Sequence, residues 1–114
     1  MSAKYWQRGE TIDYTTTDAL ANGDVVDLAT RIGVAGNDIP AGETGAVHVV
    51  GVFEIPKATG AVTVGQALYW DKAAENITTV ASTGSDPVVN NTPAGWAVAA
   101  AGSSDATVLV KLLG

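Results

Sequence analysis

Between Gly45 and Lys57 the chain reads Gly-Ala-Val-His-Val-Val-Gly-Val-Phe-Glu-Ile-Pro-Lys, and the pattern of this run restricts the fold more than any other segment. Apolar residues recur at every second position from Val47 to Ile55. A period of two places Val47, Val49, Gly51, Phe53 and Ile55 on one face of a strand and His48, Val50, Val52 and Glu54 on the other. The first face is a core candidate. The second is too apolar for a freely solvated surface, so the expectation is one long strand over Ala46–Ile55, central in a sheet or in contact with another subunit.

The rest of the chain repeats the theme in shorter pieces. Further β-like runs fall at Thr11–Tyr14, Asp24–Ala29, Ile32–Ala35, Ala61–Val64, Ala67–Asp71, Ile77–Val80, Gly95–Ala101 and Ala106–Leu113. A glycine stands shortly before several of them, as in Asn22-Gly-Asp-Val-Val and Ala94-Gly-Trp-Ala-Val. Glycine tolerates the positive φ that a tight turn into a strand often needs. The intervals are irregular, which makes this recurrent turn chemistry and not a sequence repeat. No stretch sustains an apolar period of 3.6, so long helices are not expected, although Thr17–Asn22 could form a single helical turn. The fold class read from these signals is all-β, a small β-barrel or β-sandwich whose short strands are linked by glycine turns.

A chain of 114 residues allows one domain with one modest core. Residues 11–114 are read as that domain, and Met1–Glu10 as an extended N-terminal arm. The arm is polar yet carries Tyr5 and Trp6, and two of the six basic residues, Lys4 and Arg8, also lie in it. Adjacent exposed aromatics on an arm need a surface to dock on; the alternative is a strand tucked against its own sheet. Lys4, Tyr5, Trp6 and Arg8 are therefore the expected contact residues toward a shell or a neighbouring subunit. Ala81–Pro93 reads as a loop rich in Ser, Thr, Asn, Asp and Pro, with room for a brief strand at Val88 and Val89.

Composition narrows the function classes. Only 16% of residues are charged against 46% hydrophobic, which leaves few charges to cover an exposed surface and implies that part of it is covered by other copies or a partner. The net charge of −6 disfavours nucleic acid as a partner. Cysteine is absent, which removes disulfides, thiolate nucleophiles and cysteine-based zinc sites. No apolar run approaches the length of a membrane span, and Met1–Glu10 lacks the apolar core of a secretory signal, so use in the cytoplasm is expected and a membrane is not.

No constellation of catalytic residues emerges. His48 is the single histidine and sits among apolar strand residues, so a structural or surface role is expected. The carboxylates are scattered, mostly at turns, with no Asp-x-Asp-x-Asp calcium loop. Gly33–Ile39 and Gly60–Gln66 contain glycines but lack the Lys and hydroxyl of a phosphate-binding loop. Trp70 and Trp96 could stack sugars, but each sits in a strand pattern, and core or interface packing is the preferred reading. No catalytic, metal or cofactor residues are expected.

Several segments, in this order and spacing, carry a family resemblance: Gly23-Asp-Val-Val, Ile39-Pro-Ala-Gly-Glu-Thr-Gly, Gly51-Val-Phe-Glu-Ile-Pro-Lys57, Gly65-Gln-Ala-Leu-Tyr-Trp-Asp71, Ala94-Gly-Trp-Ala and Asp105-Ala-Thr-Val-Leu-Val-Lys-Leu. From about Gly9 onward the chain resembles the small capsid cement, or head decoration, proteins of tailed phages and prophages. The resemblance implies a β-rich, non-enzymatic virion protein, made in the host cytoplasm, that sits on the outer face of the head, often as a homotrimer. It would bind the major capsid protein across capsomers and stabilise the shell. Some members carry a recombinase-like label, which the acidic balance and missing nucleotide loop oppose. A carbohydrate-binding or adhesion module is the alternative from a different class, and open exposure of Trp70 or Trp96 on a concave polar surface would favour it.

Overall fold

The computed structural model describes residues 2–82 and 88–113. Among them are nine strands and no helix: β1 (Thr11–Thr15), β2 (Val25–Asp27), β3 (Ile32–Ala35), β4 (Thr44–His48), β5 (Val52–Pro56), β6 (Ala67–Asp71), β7 (Asn76–Thr78), β8 (Thr92–Ala97) and β9 (Thr107–Leu112). They form two antiparallel sheets, one of four strands ordered β1-β4-β3-β2 and one of five ordered β5-β9-β8-β6-β7. The architecture is a sandwich and not a closed barrel. The ends of the five-stranded sheet do approach each other, through a parallel bridge between Lys57 and Ile77 and a hydrogen bond from the Ala58 N–H to the Ile77 carbonyl at 2.8 Å.

The expected long strand over Ala46–Ile55 is two strands in two sheets. The chain leaves β4 in the four-stranded sheet, turns at Val50-Gly51 and enters β5 at the edge of the other sheet. Gly51 sits at φ 128°, a conformation that side-chain-bearing residues rarely adopt, and its carbonyl accepts the Leu112 N–H at 3.0 Å. The turn keeps the alternation in phase, which is why the sequence reads as continuous. Val47, Val49 and Ile55 are buried and Phe53 is partly so. The opposite face is not covered along its whole length: β4 is central, but Val50 and Val52 are 42% and 51% exposed.

Each sheet contributes to its own apolar cluster. The larger one lies between the sheets and unites Ile55, Leu68, Trp70, Ile77, Val108, Val110 and Leu112 with Ile32 and Val34 of β3. The smaller one covers the other face of the four-stranded sheet, where Val26, Ala35, Val47 and Val49 pack with Ile39, and Leu20 and Leu28 lean on them. All four residues of β3 are buried because that strand serves both clusters. The Thr92 hydroxyl donates to the Asp27 carboxylate at 3.0 Å and ties the sheets together at their rim.

The remaining differences from expectation have local causes. Thr17–Asn22 forms no helical turn; Leu20 pairs with Ile39 through two backbone hydrogen bonds of 2.8 Å, and this non-local pairing outweighs the weak local signal. Ala61–Val64 is no strand and contributes a single bridge, Val62 to Ala101. The expected loop Ala81–Pro93 ends earlier, since Thr92 and Pro93 already belong to β8. Val88 and Val89 lie outside any strand, and residues 83–87 of that loop lie outside the described residues.

Candidate functional site

Two surfaces and one terminal segment stand out as places where the fold leaves apolar groups without a partner of their own. The first surface is the outer face of the five-stranded sheet. Register places Val52, Lys111, Trp96 and Ala67 side by side in one row across β5, β9, β8 and β6, with Leu109 opposite Glu54 in the next. Strand alternation sends Val108, Val110 and Leu112 inward and turns Leu109 and Lys111 outward. Val52, Trp96 and Leu109 are 51%, 40% and 39% exposed, and Val50 and Leu113 continue the apolar surface at its margins.

The two strand tryptophans therefore part company. Trp70 is buried in the main cluster, as packing requires. Trp96 is not a core residue. Gly95 beside it has φ 152°, and a Cβ at that position would point into the Lys111 carbonyl oxygen, so only glycine fits there. Trp96 lies outward among Val52, Lys111 and Ala67. Its neighbours there are two apolar side chains and Lys111, with Glu54 in the next row.

The second surface is a groove between the sheets. One end is a cavity of about 250 Å³ bounded by Val25, Val34, His48, Phe53 and Ile55. Val25 also lines the two neighbouring stretches, which run past Pro56 and Trp70 to Tyr14 and Lys72. Asp18, Asp24, Asp27, Glu54 and Glu75 stand along it. His48 is half-buried with its ring 5.8 Å from that of Phe53, a packing role that fits the structural expectation.

The N-terminal segment carries the four residues singled out from sequence. Residues 2–9 enter no strand, so they are not tucked against their own sheet. Tyr5 and Trp6 are 80% and 84% exposed, and Lys4 and Arg8 are exposed beside them. The segment is held only near its base, where Gln7 donates to the Thr11 carbonyl at 3.2 Å, the Val49 N–H donates to the Glu10 carbonyl at 2.9 Å, and Arg8 lies 3.7 Å from Glu10.

Sequence reasoning missed Lys57. Its side chain is buried, and its ammonium donates to the carbonyls of Ala58 at 2.9 Å and Ser103 at 3.3 Å. Among the described residues no carboxylate pairs with it. Neutral carbonyls satisfy the charge and pin the Ser103 turn against the end of β5, which is a structural duty. A buried lysine after Ile-Pro leaves no periodic trace in a sequence. No group of three or more His, Asp or Glu able to hold a metal occurs among the described residues.

A β-sandwich with exposed apolar surface, an interstrand groove and a free aromatic segment is the equipment of a protein that binds other proteins. The comparison with family models identifies which kind: residues 6–112 match the model of the phage cement proteins, and the chain belongs to that family. The family is one of structural phage proteins associated with the capsid. No curated protein and no solved structure matches the chain.

Proposed function

We propose that the protein decorates the outer surface of a tailed-phage head and stabilises the shell by binding the major capsid protein across capsomer boundaries, as a homotrimer and without catalysis. Membership of the cement family over nearly the whole chain carries this reading. A protein that binds only the assembled lattice stabilises that lattice by mass action. Attachment through several linked copies multiplies the effect without any new contact.

The apolar row on the outer sheet face is the surface we assign to the shell. Val52, Trp96 and Leu109 lie on short, mutually paired strands, so they present a rigid patch at little entropic cost. The N-terminal arm, with Lys4, Tyr5, Trp6 and Arg8, is the second contact element, toward the shell or a neighbouring subunit, and adds exposed aromatic and basic groups to an acidic protein. Synthesis in the host cytoplasm and residence on the outer capsid surface follow from this role.

The test is co-sedimentation of the purified protein with expanded heads that lack it. Saturable binding at a fixed number of copies per capsomer, with raised resistance of the heads to heat or chelation, supports the reading. A protein that stays in the supernatant at all concentrations contradicts it. Deletion of residues 1–8 should weaken loading, and normal loading of the shortened chain would remove the arm from the contact set.

A further inference from the structure

We propose that the inter-sheet groove is the receptor for the N-terminal arm of a second copy of this chain, so that neighbouring copies are linked by arm exchange. The proposal rests on the reading that the protein acts as an oligomer and supplies the contact that joins the copies.

The first observation is a match of shape. An arm of residues 2–9 can extend ~26 Å at ~3.3 Å per residue, long enough to reach from its own root onto a neighbouring copy. The groove consists of three stretches that share Val25. Its apolar end holds about 250 Å³. A cavity of roughly 150 Å³ lined by apolar side chains already accepts benzene, so an indole can enter this one. Val25, Val34, Phe53 and Ile55 would enclose the Trp6 ring, and Glu54 at the same end can accept a hydrogen bond from its N–H.

The second observation is a match of charge. Side chains of the first ten residues carry a net +1, and those of the remaining chain carry −7. Asp18, Asp24, Glu54 and Glu75 border the groove, against one lysine, Lys72. Lys4 and Arg8 flank the aromatic pair and would lie over these carboxylates while Tyr5 and Trp6 fill the apolar floor. Together they describe a ligand in which two basic residues flank an aromatic pair.

The occupant is a second copy and not the chain's own arm. Trp6 of the arm is 84% exposed, and among the described residues a hydrogen bond from Gln7 to Thr11 and an ion pair of Arg8 with Glu10 hold the arm beside its own root. An arm passed head to tail into the next copy's groove closes a ring of copies when each both gives and receives.

The experiment mixes two full-length chains. A ¹⁵N-labelled Tyr5→Ala/Trp6→Ala variant keeps its groove but lacks the aromatic ligand. Addition of unlabelled wild-type protein should shift the amide signals of Val25, Val34, Phe53 and Ile55, and addition of unlabelled variant should not. Sedimentation of the wild type should show concentration-dependent association that weakens with salt. The double alanine variant and the groove variant Asp24→Lys/Glu75→Lys should each associate at least tenfold more weakly. Absence of groove shifts, equal shifts from the variant, or unchanged association in either variant overturns the proposal. Groove shifts that appear in wild-type protein independently of concentration would assign the groove to the chain's own arm and overturn it equally. Head binding is not read in this experiment, so arm exchange can fail while decoration stands, and the reverse.

Discussion

The two faces of the five-stranded sheet are built from the same strands and from similar residues, yet they do different work. Inward, β9 places Val108, Val110 and Leu112 at or near complete burial. Outward, the same strand and its neighbours place Leu109, Trp96 and Val52 at 39–51% exposure. Folding of the isolated chain explains the first set, since each buried aliphatic side chain contributes ~1.5–3 kcal/mol over its exposed state. It does not explain the second. Apolar residues in an aligned row on an open sheet face add little to stability and invite association. The contrast teaches that the low charge content of this chain is not spread evenly. Apolar side chains are left exposed on this face, the surface we assign to a partner.

Substitutions sharpen that contrast, beginning where the effect is largest. Gly95→Val should prevent folding, because at φ 152° its Cβ would be driven into the Lys111 backbone. Circular dichroism and thermal melting of the purified variant check this, and a cooperative transition near the wild-type temperature would mean that glycine is not required there. Leu112→Ala should cost ~2–5 kcal/mol in denaturant unfolding, as expected for a large side chain removed from a closed core. Leu109→Ala, one strand position class away, should cost under ~1 kcal/mol by the same measurement, since a half-exposed side chain leaves no cavity. Equal losses for Leu109 and Leu112 would erase the distinction between the faces. Trp6→Ala should leave the unfolding midpoint within error at concentrations too low for copies to associate, because the indole is 84% exposed in its own chain.

The alternation of apolar residues was enough to read the fold class and most strands. β3 and β6 fall on Ile32–Ala35 and Ala67–Asp71 as the pattern predicts. The pattern could not reveal that Val47 and Ile55 belong to different sheets. A bend at glycine preserves the phase of a period-two signal, so one strand and two look alike until Gly51 is seen at φ 128°. The aromatic arm was legible because Tyr5 and Trp6 stand in a polar stretch with no strand alternation to claim them. Trp96 was half legible. Its strand pattern signalled packing, but only the register with Lys111 and Ala67 tells that the packing partner is not its own core. The groove was not legible at all, since Val25, Phe53 and Trp70 come together through contacts between sheets that no local pattern encodes.

The outer face is the element whose role separates this account from that of a self-sufficient β-domain. The decisive measurement is the loading of a Trp96→Asp/Leu109→Asp variant onto expanded heads, read by co-sedimentation beside its unfolding midpoint. The account predicts loading reduced at least tenfold with the midpoint nearly unchanged. Wild-type loading by the folded variant would contradict it.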